Sequence, residues 1–274
     1  VTSRSGPGRP RGGRPIPPKA PVRAEEPRKT LRIAGLAAVS ALFARDAERV
    51  ERLFFDARLK DAAGDFCRTM AAFRRPYRMV DAEELAKVAG TVLHGGIVAV
   101  TTPRPVPPLD TADVPRWAVA RQPLLLLDGV GNPHNLGAIV RTAAFFGLPR
   151  LVVSDHPAQA LPSEAAYRVA EGGFEWLELW RAERFAATLK RLKPAYRVIG
   201  TALDPKRPTV GVEALTRPGP PIALILGNEE EGLPRATLDA CDAVLTIPGS
   251  GRVQSLNVAA TAAILINALA AGRV

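Results

Sequence analysis

The chain has 274 residues, 47% hydrophobic and 23% charged, which fits a globular protein of one large domain or two modest ones. Its net charge of +10 is uneven: eight Lys/Arg against two Asp/Glu give residues 1–30 a charge of +6, while 29 against 25 leave the other 244 residues +4. No apolar run reaches the roughly 18 residues of a membrane-spanning helix, the first residues lack the apolar core of a secretory signal, and no Walker A phosphate loop occurs. Cys67 and Cys241 stand far apart, and His94, His134 and His156 lack metal-ligand spacing. That pattern fits a protein without disulfides or metal in a reducing cytoplasm.

Residues 1–30 contain four Gly and seven Pro among the arginines, with R-P-R-G-G-R-P at 9–15. Such a segment buries too little apolar surface to offset its ordering entropy and is expected to be disordered. Its charge suits phosphate contact through counterion release, the plainer alternative being a solvated tail that aids solubility. Residues 36–45 read as a helix, V-E-R-L-F-F-D at 50–56 as a strand, 58–73 as a helix and 77–80 as extended. Asp81 reads as the N-cap of a helix over 82–89, and I-V-A-V at 97–100 as a strand, giving a small α/β domain over 31–102. Six prolines in 103–123 predict a semi-rigid linker. A second α/β domain follows over 124–274, with strands at 124–127, 151–153, 197–201, 223–226 and 243–246. The first, fourth and fifth of these are continuous apolar runs, as buried parallel strands are. Helices are predicted near 136–146, 182–192, 234–240 and 255–271. The last is apolar nearly all round and requires burial on several faces, in the core or against a second subunit.

In open α/β sheets ligands bind beyond the carboxyl ends of the strands, and three such loops stand out. D-G-V-G-N-P-H-N-L-G-A-I-V-R-T-A at 128–143 places Asn135 as a helix N-cap and Arg141 six residues on. Six residues at 100° each put Arg141 about 240° round the helix from Asn135. G-N-E-E-E-G-L-P at 227–234 follows a buried strand, with Gly227 allowing close backbone approach and Asn228 and Glu229 at the sheet edge. I-P-G-S-G-R-V-Q-S-L-N-V at 247–258 turns through Gly249 and Gly251 and enters the last helix at Ser255 or Asn257. Taken singly, each loop also reads as an ordinary capped helix start.

In this order the three resemble the motifs of the SpoU/TrmH family of RNA ribose methyltransferases, in the SPOUT superfamily. N-L-G-A-I-V-R-T-A at 135–143 looks like the first motif, L-G-N-E-E-E-G-L at 226–233 the second, and I-P-G-S-G-R-V-Q-S-L-N-V-A at 247–259 the third. A-G-L at 34–36 and H-G-G-I-V-A at 94–99 resemble the small ribosomal-protein-like substrate-binding domain of two-domain members. The resemblance implies a parallel-sheet domain with a C-terminal trefoil knot and S-adenosylmethionine as cofactor. It also implies a homodimer that completes the site, an RNA substrate (rRNA favoured over tRNA), and neither metal nor membrane. By motif, Arg141 is the catalytic arginine, Asn135 and Glu229 shape the ribose pocket and hold Arg141, and Ser255 and Asn257 are third-motif site residues. Groups at Leu226, Gly227, Asn228, Ile247, Ser255 and Leu256 would hold the cofactor.

Two departures from the family pattern stand out: Glu230 where many members have glycine, and Glu171-Gly172-Gly173 where many have small residues such as Ser-Ala-Gly. His134 lies before the first motif and His94 reads as a turn residue of the small domain. Two alternatives carry the same motifs: a non-catalytic RNA-binding or ribosome-assembly protein, and a SPOUT enzyme that methylates a base.

Overall fold

The computed structural model describes residues 30–202 and 209–272, so the basic tail lies outside the described residues apart from Thr30. The N-terminal part runs β1 (Leu31–Ala34), α1 (Leu36–Asp46), β2 (Val50–Phe55), α2 (Gly64–Ala72), β3 (Tyr77–Met79), α3 (Ala82–Ala89) and β4 (Ile97–Thr101). Its sheet has the order β1-β4-β2-β3, with β4 antiparallel to both neighbours and β3 parallel to β2. The Asp81 cap forms, its carboxylate accepting from the Glu84 amide at 2.7 Å, and Gly90 ends α3 in the left-handed region. The helix expected over 58–73 divides instead. Asp56 caps a 3-10 turn over Ala57–Leu59, and α2 begins only at Gly64.

The C-terminal part runs α4 (Val114–Val119), β5 (Leu124–Asp128), α5 (Pro133–Phe145), β6 (Arg150–Ser154), α6 (Glu164–Ala170), β7 (Glu178–Ala182) and α7 (Phe185–Leu192). Then follow β8 (Arg197–Thr201), β9 (Thr209–Val210), β10 (Ile222–Gly227), α8 (Arg235–Ala240), β11 (Ala243–Leu245) and α9 (Val258–Ala271). The sheet order is β7-β6-β5-β10-β8-β11-β9, with every pairing parallel. Both faces are covered, which is why the central strands read as unbroken apolar runs. Leu125, Leu127, Leu224 and Leu226 face one core with α5, α6 and α9. Leu124, Leu126, Ala223 and Ile225 face another with Trp117 and the apolar side of α7.

Residues 103–123, expected as a semi-rigid linker, pack against the edge of the sheet and its neighbouring helices. Arg181 of β7 donates its amide to the Pro107 carbonyl at 2.9 Å, and Leu109 donates to the Arg181 carbonyl at 2.7 Å. Pro108 lies between them, where a strand needs no donor, so its missing N–H costs nothing. In α4, Trp117 is 2% exposed, with the Arg150 guanidinium 4.3 Å from its ring centroid and Trp180 at 5.9 Å. Tyr196 donates to the Gln122 carbonyl at 2.8 Å, and burial pushes its hydroxyl pKa up to about 12.

The two parts share one continuous apolar cluster. Polar contacts reinforce it: Arg32 of β1 donates from its backbone and Nε to Glu164 at 3.1 and 2.6 Å. Arg49 Nη1 reaches both oxygens of Glu175 at 3.1–3.2 Å, the two side chains being 10% and 2% exposed. Burial opposes the charge on Arg49, but Glu175, Tyr167 and Asp46 together outweigh it and raise the guanidinium pKa. Burial, and then the nearby Glu175 carboxylate, raise the pKa of Tyr167.

The connections after two neighbouring strands diverge. Strands β5 and β10 are neighbours, yet the helix after β5 packs on one face and the helix after β10 on the other. Where adjacent parallel strands send their connections to opposite faces, the loops diverge and leave room for a ligand.

Candidate active site

The first loop, after β5, enters α5 through Asn132. Its side chain accepts from the His134 amide at 2.8 Å, and Pro133 takes the first helical position. Asn132, and not Asn135, is therefore the cap. Asn135 lies in the first turn, which frees its amide for contacts outside the helix.

In the second loop, after β10, Asn228 and Gly232 exchange both backbone bonds, at 3.0 and 3.1 Å. The Asn228 side chain accepts from the amides of Glu230 and Glu231 and donates to the Gly129 carbonyl at 2.8 Å, tying this loop to the first. A Cβ on Gly227 would come within 2.6 Å of the Gly232 backbone. Closure of the loop on itself is thus enough to require glycine there.

The third loop leaves β11, on the far side of β8, and crosses the carboxyl edge of the sheet to α9, which packs on α5. Asn257 caps α9, accepting from the Ala259 amide at 2.8 Å, and donates from Nδ2 to Asn135 Oδ1 at 3.2 Å. Asn135 Nδ2 in turn donates to Glu229 Oε1 at 2.5 Å. One residue from each loop thus joins a chain, Asn257 to Asn135 to Glu229, spanning 122 and 94 sequence positions. Each end of the Asn135 amide has a partner of the right kind, which fixes the orientation of the group.

The other anticipated residues are arranged less compactly. Arg141 is exposed on α5 and pairs with Glu171 Oε2 at 2.9 Å, so Glu171 holds it where Asn135 and Glu229 were expected to. The 240° turn between Asn135 and Arg141 aims them apart, and the left-handed end of α6 presents Glu171 to the arginine. Leu226 and Gly227 are buried at the end of β10, Ile247 is half-buried against the core, and Ser255 and Leu256 are exposed. His134 is exposed, its amide taken by Asn132. His94 is a buried turn residue whose Nδ1 accepts from the Gly96 amide at 3.2 Å. Glu230 is exposed.

Sequence reasoning did not anticipate two features. One is the Arg141–Glu171 pair, for which only the Glu-Gly-Gly departure gave a signal. The other is a cleft of about 340 Å³ on the face of α7 and α8, lined by Asp128, Asp155, His156, Arg184 and Thr237 among others. In it Thr237 donates to the buried Asp128 carboxylate at 2.6 Å, and Asp155 accepts from the Arg184 amide at 2.7 Å.

A model of the SpoU rRNA Methylase family matches residues 122–267, and a model described as RNA 2'-O ribose methyltransferase substrate binding matches residues 32–107. The chain is 34% identical over 248 residues to the Uncharacterized tRNA/rRNA methyltransferase YfiF of Escherichia coli O157:H7, covering 89% of this chain and 68% of that protein. It is 32% identical over 237 residues to the 23S rRNA (guanosine-2'-O-)-methyltransferase RlmB of Nitrosomonas europaea, covering 85% and 88%. The fold is shared with the SpoU methyltransferase AviRb of Streptomyces viridochromogenes, solved in complex with AdoMet (TM-score 0.69, 23% identity, 89% and 90% covered). It is shared also with an AdoMet-bound rRNA methyltransferase of Sinorhizobium meliloti (TM-score 0.70, 22% identity, 88% and 86% covered). These matches agree with the parallel sheet, the three loops at its carboxyl edge and the small domain ahead of them: the chain belongs to the SpoU rRNA methylase family.

Proposed function

We propose that this protein transfers the methyl group of S-adenosylmethionine to a ribose 2′-hydroxyl of structured RNA, ribosomal RNA first among the candidates. The observation that carries the reading is the Asn257–Asn135–Glu229 chain, which draws the three motif loops together at the carboxyl ends of β5 and β10. Membership of the family and the names of the relatives, RlmB above all, support it.

The loops suit such a cofactor. Among the described residues, the backbone of 247–251 makes no hydrogen bond within the protein, and Gly249 and Gly251 have open space where a side chain would project. Free amides and carbonyls beside the half-exposed Leu256 can hold the polar and apolar parts of a nucleoside. In this reading Leu226, Gly227, Asn228, Ile247, Ser255 and Leu256 contribute that cradle. The bound cofactor supplies a methyl group already activated on sulfonium, ready for in-line displacement by oxygen.

The chain's own task is then to place the ribose oxygen and support its loss of a proton. Positioning alone supplies several kcal/mol of such a barrier. Asn135, locked at both ends, with Glu229 and Asn257 shapes the ribose pocket. A guanidinium is a poor base, so Arg141 binds a phosphate and stabilises the forming alkoxide. The proton passes to a substrate phosphate or to water.

Further parts of the reading concern the whole assembly. The small domain selects the RNA. Phe145 at 83% and Ile264 at 42% exposure lie on α5 and α9, helices that pack together, and exposed large apolar side chains of this kind suit a homodimer. The crossing of residues 246–257 to α9 suits the family's trefoil knot. Cys67 and Cys241, which form no disulfide with each other, suit a cytoplasmic location. Among the described residues no helix is long and apolar enough to cross a membrane, and no cluster of three metal-ligating side chains occurs.

Calorimetric titration with S-adenosylmethionine, followed by tritium-methyl transfer into bulk rRNA and tRNA, tests the reading. Micromolar binding and a product whose modified linkage resists alkaline cleavage support ribose methylation. A labelled product with normal alkaline cleavage points to base methylation. RNA binding with no cofactor bound, with or without RNA, supports the non-catalytic alternative.

A further inference from the structure

Arg141 makes its ion pair with Glu171, not with the three-loop cluster. Glu171 is not a loose surface side chain. It ends α6 at φ 46, ψ 44, a left-handed conformation strained for any residue with a Cβ and natural for glycine. Gly172 follows, also left-handed, with its Cα against α1; a Cβ there would lie 2.6 Å from that of Ala41. Gly173 packs on the other side, and its Cβ would meet the Val140 carbonyl at 3.0 Å and the Arg141 Cα at 3.2 Å. The backbone carrying the carboxylate is therefore pinned between the small domain and the turn of α5 that bears Arg141. A glutamate occupies a position whose backbone favours glycine, and its carboxylate meets the guanidinium at 2.9 Å.

The pair is also exchangeable. Its side chains are 56% and 49% exposed, and ion pairs in water are weak. We propose that Glu171 is a positioning residue for Arg141: it holds the guanidinium aimed in the free protein and shares it with an RNA phosphate when substrate docks. This rests on the reading of Arg141 as the group that acts on the ribose–phosphate. Two effects follow with opposite signs. The carboxylate competes with RNA, so its removal tightens RNA binding. It also orders the arginine, so its removal slows transfer.

The test compares Glu171→Gln, which deletes the charge, with Glu171→Gly, which also relieves the backbone, and Glu171→Asp, which keeps a carboxylate. For Gln and Gly, kcat is expected to fall roughly tenfold or more. RNA affinity should rise by up to about fivefold with a steeper salt dependence. S-adenosylmethionine affinity should stay unchanged, and Asp should restore part of kcat. Glu171→Gly should melt no lower than the parent protein. Unchanged kcat in an active parent background overturns the proposal, as does a loss of kcat in Gly that tracks a fall in Tm. If the parent protein transfers no methyl group, the functional reading fails, and the RNA-binding arm still decides: unchanged affinity and salt slope in Glu171→Gln overturn the positioning role, and a tighter, steeper response sustains it.

Discussion

Asn135 bonds to Asn257 and Glu229 at once, so one amide group links the first loop to both others, while Asn228 ties the second loop to the first independently through the Gly129 carbonyl. Arg141 takes no part in that chain, so in the proposed function its contribution is separable from that of the cofactor-binding loops. Arg141→Ala is therefore expected to lower methyl transfer by roughly 10²–10³-fold while leaving S-adenosylmethionine affinity nearly intact. Parallel titration and tritium-transfer measurements check this, and equal loss of both would remove the arginine from the chemistry. Asn135, Glu229 and Asn257 were legible in the sequence because each lies within a few residues of an apolar strand or helix end. The partner of Arg141 was not legible. It depends on how closely α6 approaches α5, and that depends on Gly137, where a Cβ would come 2.5 Å from the Ala166 carbonyl. No local pattern reports a packing distance between two helices.

At the scale of elements, helix α4 is the informative case. Its surroundings contain six prolines, and composition alone read 103–123 as a spacer. Pro115 falls in the first turn, where a missing N–H is tolerated, and Trp117 anchors the helix against Arg150 and Trp180. Trp117→Ala is expected to cost about 3–5 kcal/mol, as large aromatic truncations in cores do. Chemical denaturation measures it, and a cost below about 1 kcal/mol would return α4 to the role of a tether. Strands β5, β10 and β11 were readable because burial on both faces leaves no polar alternation. Strand β1 has only Leu31 and Ile33 inward, and β7 is an edge strand reading E-L-W-R-A, a pattern that also fits the start of a helix. Helix α6 packs closely on α5, but at seven residues it is too short a stretch for a periodic signal.

For the whole molecule, the two family-matched parts are held together by a buried ion pair as well as by a shared apolar core. Removing one partner of such a pair strands the other charge, whereas replacing both is often tolerated. Arg49→Met alone is expected to destabilise by about 3–5 kcal/mol, and Arg49→Met with Glu175→Leu to recover most of that, read by denaturant unfolding. Equal losses in the single and double variants would show that the salt bridge adds nothing beyond shape. With the two parts locked this way, the proposed function has the small domain set the direction from which RNA approaches Arg141. Residues 1–30 carry +6 of the chain's +10. Each phosphate they engage should release condensed counterions, contributing about 0.7–0.9 to the slope of log affinity against log salt. Deleting them should weaken RNA binding at low salt and flatten that slope by at least one such increment. The S-adenosylmethionine affinity of the folded part should not change. A truncated protein with the parent slope would assign all phosphate contact to the folded surface, where 29 basic residues oppose 25 acidic ones and the excess is small.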